Sequence, residues 1–218
     1  MTSQPIERLD VGRAVIALTF DDGPHPVCTP MVLRALTDAG LVATFFVLGQ
    51  QAEQHPGLVE DLGAAGMGVG VHGWDHAELR GQTPEFVRDQ LGRTVDVLRP
   101  LAPAPSLFRP PKGWWDDTTL AVAGELGLET VLWTCDTFDW ADQSTEAIVD
   151  RVLMGLQPGA IVLLHDGGSH DRTGTVAAIA RLAPLIRDGA GYQIVDLGDE
   201  LGPARPAPES LAPDGPTL

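Results

Sequence analysis

The sequence contains little cysteine, little positive charge and no long hydrophobic run. Its two cysteines, Cys28 and Cys135, are too few to staple a small disulfide-rich protein, so we expect two reduced, partly buried thiols. Lys and Arg number 14 against 30 Asp and Glu, which gives a formal net charge of −16. Nucleic acids and anionic membranes bind clusters of basic residues. We therefore predict neither as a partner, although solubility alone also explains the acidity.

Membrane and export signals are also missing from the sequence. No apolar run approaches the roughly 18 residues of a membrane-spanning helix. Residues 1–10 are polar, and the short apolar run at 14–20 has no basic segment before it and no small-residue cleavage site after it. These features predict a protein without a signal peptide and with a cytoplasmic location.

What is present is the composition of a folded domain, with 218 residues, 44% of them hydrophobic and 20% charged. Short β-branched runs predict strands at 14–18, 42–47, 68–71, 106–108, 129–133, 160–164 and 192–195. Stretches with helical periodicity predict helices at 29–39, 57–65, 84–98, 117–126, 145–156 and 173–187. Thr83 and Ser144 are predicted to be N-caps of two of these helices.

The alternation of strands and helices predicts an α/β fold with parallel strands and crossover helices. Seven strands fit a distorted (β/α)7-type barrel, and an open doubly wound sheet is the alternative. We place the single domain at residues 1–201. Residues 202–218 are rich in Pro, Ala, Gly and acidic residues, and they predict a disordered C-terminal tail.

Unusual polar residues follow the predicted strands, at the end of a β/α barrel where active sites form. They are Asp21 and Asp22 after the first strand, His72 and His76 after the third, Arg109 after the fourth, Asp136 and Asp139 after the fifth, and His165 and Asp166 after the sixth. Side chains scattered over a surface would not follow the strands so regularly. The pattern therefore predicts an active site at this end of the barrel.

Two histidines four residues apart, His72 and His76, face the same side if their loop makes one helical turn. Together with one carboxylate they form a three-ligand set for zinc and leave a fourth position for water. The adjacent carboxylates of Asp21 and Asp22 would repel each other, and a cation would relieve that repulsion. Two unrelated loop histidines and a solvated acidic turn are the alternatives.

Arg109 and His165 also stand at informative positions. Two prolines stiffen the chain after Arg109, so its guanidinium could hold a carboxylate in one orientation. His165 ends an apolar strand and is well placed for acid–base chemistry. A surface salt bridge for Arg109 and a structural hydrogen bond for His165 are the alternatives.

Five motifs in this order resemble those of the NodB-homology polysaccharide deacetylases, carbohydrate esterase family 4. The motifs are TFDDGP at 19–24, HGWDH at 72–76, RPPKG at 109–113, DTFDW at 136–140 and LLH at 163–165. The resemblance extends from about residue 14 to 197. It implies a single NodB-like domain that hydrolyses the N-acetyl group of an acetamido sugar or polysaccharide and releases acetate.

The resemblance implies a catalytic role for several of these residues. Asp21 would be the catalytic base, and Arg109 would orient it. His165 would be the general acid, and Asp139 would position it. The backbone N–H of Lys112 would help to hold the oxyanion.

The remaining roles concern the metal and the acetyl pocket. Asp22, His72 and His76 would bind one divalent metal, most readily zinc, and Co²⁺, Ni²⁺ or Mn²⁺ also suit these ligands. Trp140 and Leu163 would line the acetyl pocket. Trp114 and Trp115, which follow the third motif, could stack on a sugar ring, although at least one of them could instead belong to the core.

The sequence departs from the family pattern at two positions. Gly73 replaces the usual Ser or Thr after His72, which removes a hydrogen bond that braces the loop. Lys112 replaces an aromatic residue. A lysine that faces the cleft predicts a substrate with a carboxylate or phosphate near the acetamide, whereas a lysine that extends into solvent predicts no such preference.

Two other functions stay open at this point. The enzyme could deacylate a small intracellular N-acylated metabolite, which the missing signal peptide favours. The chain could instead be a non-catalytic carbohydrate-binding member of the family, although none of the catalytic or metal-binding residues has been lost. If the protein is an enzyme, its predicted partner is an N-acetylated carbohydrate or a small acetamido substrate. The sequence makes no prediction of oligomeric state.

Overall fold

Eight strands and eight α-helices lie along residues 4–102 and 105–202, the part of the chain that the computed structural model describes. The strands are β1 Val15–Asp21, β2 Thr44–Val47, β3 Gly68–Val71, β4 Leu107–Phe108, β5 Glu129–Thr130, β6 Cys135–Asp136, β7 Ala160–His165 and β8 Gln193–Val195. The helices are α1 Cys28–Asp38, α2 Gly49–Gln54, α3 Pro56–Ala64, α4 Pro84–Leu98, α5 Asp117–Glu125, α6 Thr145–Met154, α7 Thr173–Pro184 and α8 Leu197–Leu201.

Seven parallel strands curl into a half-barrel in the order β5-β4-β3-β2-β1-β7-β6, and β8 pairs with the start of β1. This confirms the predicted single-domain β/α barrel and not the open doubly wound sheet. Among the described residues no ladder joins β5 to β6. The N-terminal segment lies across that gap, where Ile6 exchanges backbone hydrogen bonds of 2.8 Å with Thr130 and Leu132.

Alternate side chains of β1 enter two different cores, as the two-residue period of a strand requires. Ile16, Leu18 and Phe20 pack in the large core between the sheet and the helices. Val15 and Ala17 belong to a smaller core inside the half-barrel. Asp21, the last residue of β1, follows these apolar side chains at the mouth of the half-barrel.

The structure corrects several predicted boundaries. β1 continues to Asp21, which is the last residue of the strand and not part of the following loop. The predicted strand at 129–133 is only Glu129–Thr130, and β6 was not predicted. β6 has two residues and therefore lacks an alternating pattern long enough to detect. Asp136 and Asp139 consequently lie at the end of β6 instead of β5.

Several local expectations are confirmed. The Thr83 side chain accepts the Phe86 N–H at the start of α4, and the Ser144 side chain accepts the Ala147 N–H at the start of α6. Cys28 and Cys135 are free and buried, and burial raises the pKa of the Cys135 thiol to about 11. None of the helices in the described ranges is long and apolar enough to cross a membrane. The predicted tail at 202–218 lies outside the described residues except for Gly202.

Candidate active site

Two neighbouring strands bring a carboxylate and an imidazole together at the mouth of the half-barrel. On β7, Ala160, Val162 and Leu164 pack against the helices, so Leu163 and His165 face the interior. The same alternation turns Asp21 inward from β1. The parallel register makes Asp21 and His165 direct partners across the two strands. Their proximity therefore follows from the strand pattern.

Arg109 is fully buried and fixes one oxygen of Asp21. Its Nη1 donates hydrogen bonds to Asp21 Oδ1 at 2.8 Å and to Thr19 Oγ1 at 2.7 Å, and its Nη2 donates to the Leu132 carbonyl at 3.0 Å. The guanidinium also lies over the Phe46 ring, 4.2 Å from its centroid. A guanidinium held on so many sides orients the Asp21 carboxylate rigidly.

Three potential metal ligands converge beside Asp21. The ligand atoms of Asp22, His72 and His76 all lie within 4.8 Å of one another. Oδ1 of Asp22 is 3.5 Å from His72 Nε2 and 3.4 Å from His76 Nε2. The histidine loop contains bends and left-handed residues, with φ +81° at Gly73 and +66° at His76, in place of the helical turn that the spacing suggested.

These ligands fit a divalent cation. Asp22 Oδ1 is buried and has no hydrogen-bond partner among the described residues. His72 Nδ1 lies 2.7 Å from the Arg109 carbonyl, which can only accept, so Nδ1 carries the proton and Nε2 keeps a lone pair for a metal. Burial lowers the pKa of His76, and so does a charge on His72 whenever that ring is protonated, which favours the neutral His76 imidazole that binds metals. A positive ion between the three side chains would satisfy all of these atoms.

His165 lies in a complete hydrogen-bond network. Its Nδ1 donates to Asp139 Oδ1 at 2.7 Å, and Asp139 Oδ2 accepts hydrogen bonds from the His165 N–H at 3.1 Å and from Thr175 Oγ1 at 2.8 Å. Arg172 Nη1 donates to the Asp139 carbonyl at 3.1 Å. His165 Nε2 is left for the cavity that the ring lines.

Burial and charge act in opposite directions on the pKa values of this pair. Burial by itself lowers the pKa of His165, but the hydrogen bond and charge of Asp139 outweigh it, so the pKa is raised. Burial would raise the pKa of Asp139, but His165, Arg172 and Thr175 outweigh it, so that pKa is lowered. The pair therefore favours an ionised Asp139 beside a histidine that holds its proton more tightly than usual.

Most of the predicted site residues line one cavity of about 420 Å³ at the barrel mouth. They are Asp21, Asp22, His72, His76, Lys112, Trp140, Leu163 and His165. The other two, Arg109 and Asp139, are fully buried behind it and hold Asp21 and His165. Lys112 is the only Lys or Arg among the lining residues.

Sequence reasoning gave no role to Trp133 and Asp136, and both line the cavity. Of the two tryptophans that could stack on a sugar ring, Trp114 also lines the cavity, whereas Trp115 is not among its lining residues. Arg80 Cζ and Lys112 Nζ lie 4.7 and 5.0 Å from the centroid of the Trp114 ring, so two cationic side chains lie against this indole. The alternation pattern contains no signal for Trp133, because the strand it was assigned to ends at Thr130.

Asp166 lies behind the Asp21–Asp22 turn, where the sequence suggested only a polar residue at a strand end. It is fully buried, its Oδ2 accepts a hydrogen bond from Thr29 Oγ1, and its Oδ1 has no partner among the described residues. Burial raises the pKa of Asp166 to about 7, and the charges of Asp22 and Asp21 add to this shift. The carboxyl group is therefore protonated in part near neutral pH.

Known proteins resemble this chain over most of its length. The sequence matches the family described as polysaccharide deacetylase over residues 8–131. It is 38% identical over 189 residues to a peptidoglycan-N-acetylglucosamine deacetylase from Bacillus cereus, with 86% of this chain and 88% of that protein covered. It is 38% identical over 194 residues to a chitooligosaccharide deacetylase from Sinorhizobium fredii, with 84% and 90% covered.

Structural similarity points in the same direction. A family 4 carbohydrate esterase from Streptomyces lividans, solved in complex with acetate, superposes with a TM-score of 0.80 and 35% sequence identity. The superposition covers 88% of this chain and 97% of that chain. A superposition of this extent goes beyond residues 8–131, the range of the family match.

Proposed function

The chain belongs to the polysaccharide deacetylase family, and on that premise we propose that it is a metal-dependent hydrolase of the N-acetyl group of an acetamido sugar in a polysaccharide or oligosaccharide. Water is consumed, and acetate and a free amine are the products. One observation carries the proposal. The Asp21–His165 pair across β1 and β7 lies in the same cavity as His72, His76 and Asp22, whose Oδ1 has no hydrogen-bond partner in the ranges that the structure describes.

Asp22, His72 and His76 would hold the metal. Zinc suits two imidazoles and one carboxylate, and Co²⁺, Ni²⁺ or Mn²⁺ would also bind such ligands. A divalent metal bound there would polarise the acetamide carbonyl and make water easier to deprotonate. The remaining steps are assigned to side chains and backbone groups of this protein.

Asp21 acts as the general base in this proposal. Its Oδ1 is occupied by the Arg109 hydrogen bond of 2.8 Å, so Oδ2 is the oxygen available to take a proton from the attacking water. Because Arg109 is buried and held by two backbone carbonyls as well as Thr19, the carboxylate has little freedom to turn away. Arg109 is therefore a positioning residue, and Asp21 is the catalytic one.

His165 acts as the general acid. The Nδ1 hydrogen bond to Asp139 leaves Nε2 to donate a proton to the nitrogen of the leaving amine. The raised pKa of His165 keeps this proton available to a higher pH than in an ordinary histidine. Asp139 positions the ring and stabilises its charged form.

The Lys112 backbone N–H is our candidate donor to the oxyanion that forms when water attacks the carbonyl. Lys112 has a φ of +61°, within the short 3-10 turn Pro111–Gly113 that follows β4. Leu163 and Trp140 line the cavity beside His165, where the acetyl methyl group would be buried. An apolar wall next to the reacting carbonyl would also limit access of bulk water.

A second candidate function is deacylation of a small acidic N-acylated metabolite. Lys112 carries this alternative, because it is the single cation lining a cavity that also contains three Asp side chains. The non-catalytic, carbohydrate-binding alternative has less support, because the base, acid and metal-ligand candidates all lie together.

The test measures acetate released by the purified protein, loaded with zinc or cobalt, from N-acetylglucosamine oligomers and from monomeric acetamido compounds. We expect metal-dependent release from the oligomers, with an Asp21→Asn variant as the inactive control. Release from acidic monomers only would support the metabolite enzyme and contradict the polysaccharide substrate. Binding of oligomers with no acetate release under either metal would contradict the proposed activity altogether.

A further inference from the structure

Phe138 combines two features that are unfavourable for stability. Its side chain is 46% exposed. Its backbone has a φ of +52°, in the left-handed region that suits glycine and disfavours a large side chain. Phe138 lies in the loop between β6 and α6, beside the candidate active site. An exposed aromatic ring on a strained backbone is typical of a residue retained for function.

Neighbouring groups hold the Phe138 turn in place. Asp136 Oδ1 accepts the Phe138 N–H at 2.8 Å, and the Phe138 carbonyl accepts the Asp142 N–H at 2.8 Å. Thr137 Oγ1 donates to the Leu163 carbonyl at 2.8 Å, and Arg151 Nη1 donates to the Thr137 carbonyl at 2.8 Å. The loop is therefore tied to β7 and α6, so the position of the ring is fixed by the fold.

The ring extends the wall of the catalytic cavity outward. The Phe138 and Trp140 ring centroids are 6.1 Å apart with planes inclined at 48°, and Trp140 lines the cavity. Trp140 is also 47% exposed. We call these two rings the outer aromatic surface. Trp140 lines the cavity and Phe138 lies next to it outside the lining residues, so a molecule that enters the cavity and is longer than one sugar ring can reach Phe138.

We propose that Phe138, the outer ring of this surface, stacks against the sugar next to the one whose acetamide is hydrolysed. This inference rests on the proposed function and assigns a substrate-binding residue outside the catalytic cavity. A pyranose ring has an apolar C–H face that packs on an aromatic ring, while its hydroxyl groups remain in water. Contact of this kind needs no charge, which suits a neutral sugar chain on a protein of net charge −16.

The test uses Phe138→Gly, which removes the ring and suits the left-handed backbone. The affinity of an N-acetylglucosamine trimer is measured by titration in zinc-loaded Asp21→Asn protein, which does not turn the sugar over, with and without the second substitution. We expect about a tenfold higher Kd after Phe138→Gly and recovery of most of the affinity in Phe138→Trp. The thermal midpoint of Phe138→Gly should equal or exceed that of the parent protein, because the backbone strain is relieved.

Phe86→Ala is the matched control, because Phe86 is 38% exposed on α4 and has ordinary helical backbone. It should leave the Kd unchanged. An unchanged Kd in Phe138→Gly, or an equal loss in Phe86→Ala, would overturn the proposed contact. These results are separate from failure of the proposed function, which would appear as a lack of acetate release by the unmodified protein from every acetamido sugar.

Discussion

The two sides of the catalytic cavity contain similar residue types but differ in how completely their polar atoms are paired. The acid side is formed by His165 and Asp139, and there Asp139 accepts hydrogen bonds on both oxygens, from His165 and Thr175. The ligand side is formed by Asp22, His72 and His76. Its two histidine Nε2 atoms lie 3.4 to 3.5 Å from Asp22 Oδ1, which has no hydrogen-bond partner within the described part of the chain. Among the described residues, the protein itself therefore supplies hydrogen-bond partners for both Asp139 oxygens but not for Asp22 Oδ1.

The difference shows what each side requires in order to work. Buried polar atoms without partners are rare in folded proteins, and the described residues contain two such side-chain atoms, Asp22 Oδ1 and Asp166 Oδ1. The acid side needs only protons, which exchange with the substrate and solvent. The ligand side needs an added cation. Substitutions on the two sides should therefore have separable effects on bound metal and on pH dependence.

Asp21 lies between the two sides, and its substitution should have the largest effect on turnover alone. Asp21→Asn keeps the hydrogen-bonding shape but removes the base, so kcat should fall by about 100-fold or more. Bound metal should not change, because Asp22, His72 and His76 remain. Acetate release and elemental analysis on the same sample measure both. Near-normal activity would remove Asp21 as the base, and loss of metal would make it a ligand.

Substitution of Asp139 on the acid side should change the pH dependence of kcat/KM. A general acid works while it is protonated, so activity is present below the pKa of His165 and is lost as the pH rises through it. Asp139 holds that pKa above its ordinary value against the effect of burial. In Asp139→Asn the contributions of Asp139 to the raised pKa are lost, while burial and the charges of Asp21 and Asp22 remain, so the alkaline limb of kcat/KM should move to lower pH, with a loss of roughly tenfold or more above neutrality.

Bound zinc in Asp139→Asn should equal that of the unmodified protein, because no ligand is altered. Thr175→Val should shift the alkaline limb less than Asp139→Asn, since it removes one hydrogen bond to Asp139 Oδ2 and leaves the charge in place. An alkaline limb that stays at the same pH in Asp139→Asn would mean that another group supplies the proton.

The smallest effect concerns Lys112, the single cation among the lining residues of the cavity. If its ammonium group contacts a substrate anion, Lys112→Met should lower kcat/KM for an anionic acetamide by about tenfold more than for a neutral one of the same shape, equivalent to ~1.4 kcal/mol. The backbone N–H is unaltered by this change. Equal changes on both substrates would show that the charge does not select the substrate.

The strand pattern in the sequence was enough to predict the barrel and the end that carries the polar residues. It placed Asp21 and His165 at strand ends, and the register then made them partners. A ligand set of His72, His76 and one carboxylate followed from the chemistry of metal ligands, and the choice of Asp22 as that carboxylate came from motif resemblance. The roles proposed for Asp139, Lys112 and Trp140 came from motif resemblance, because their local sequence contains no periodic signal.

Other features of the site depend on contacts between distant segments, which a local pattern cannot predict. Thr175 and Arg172 come from the start of α7, more than 30 residues after Asp139, yet both bind it. β6 is too short to show alternation. The left-handed backbone of Phe138 is imposed by loop contacts, since a bulky aromatic residue disfavours it.

The central claim is that the ligand side needs a metal and the acid side does not. The direct measurement is the bound zinc per chain, determined by elemental analysis after zinc loading and dialysis, in the unmodified protein, His76→Ala and Asp139→Asn. We predict about one zinc in the unmodified protein and in Asp139→Asn, and a clear reduction in His76→Ala together with its acetate release. Full zinc occupancy in His76→Ala, or equal loss of zinc in both variants, would contradict the claim.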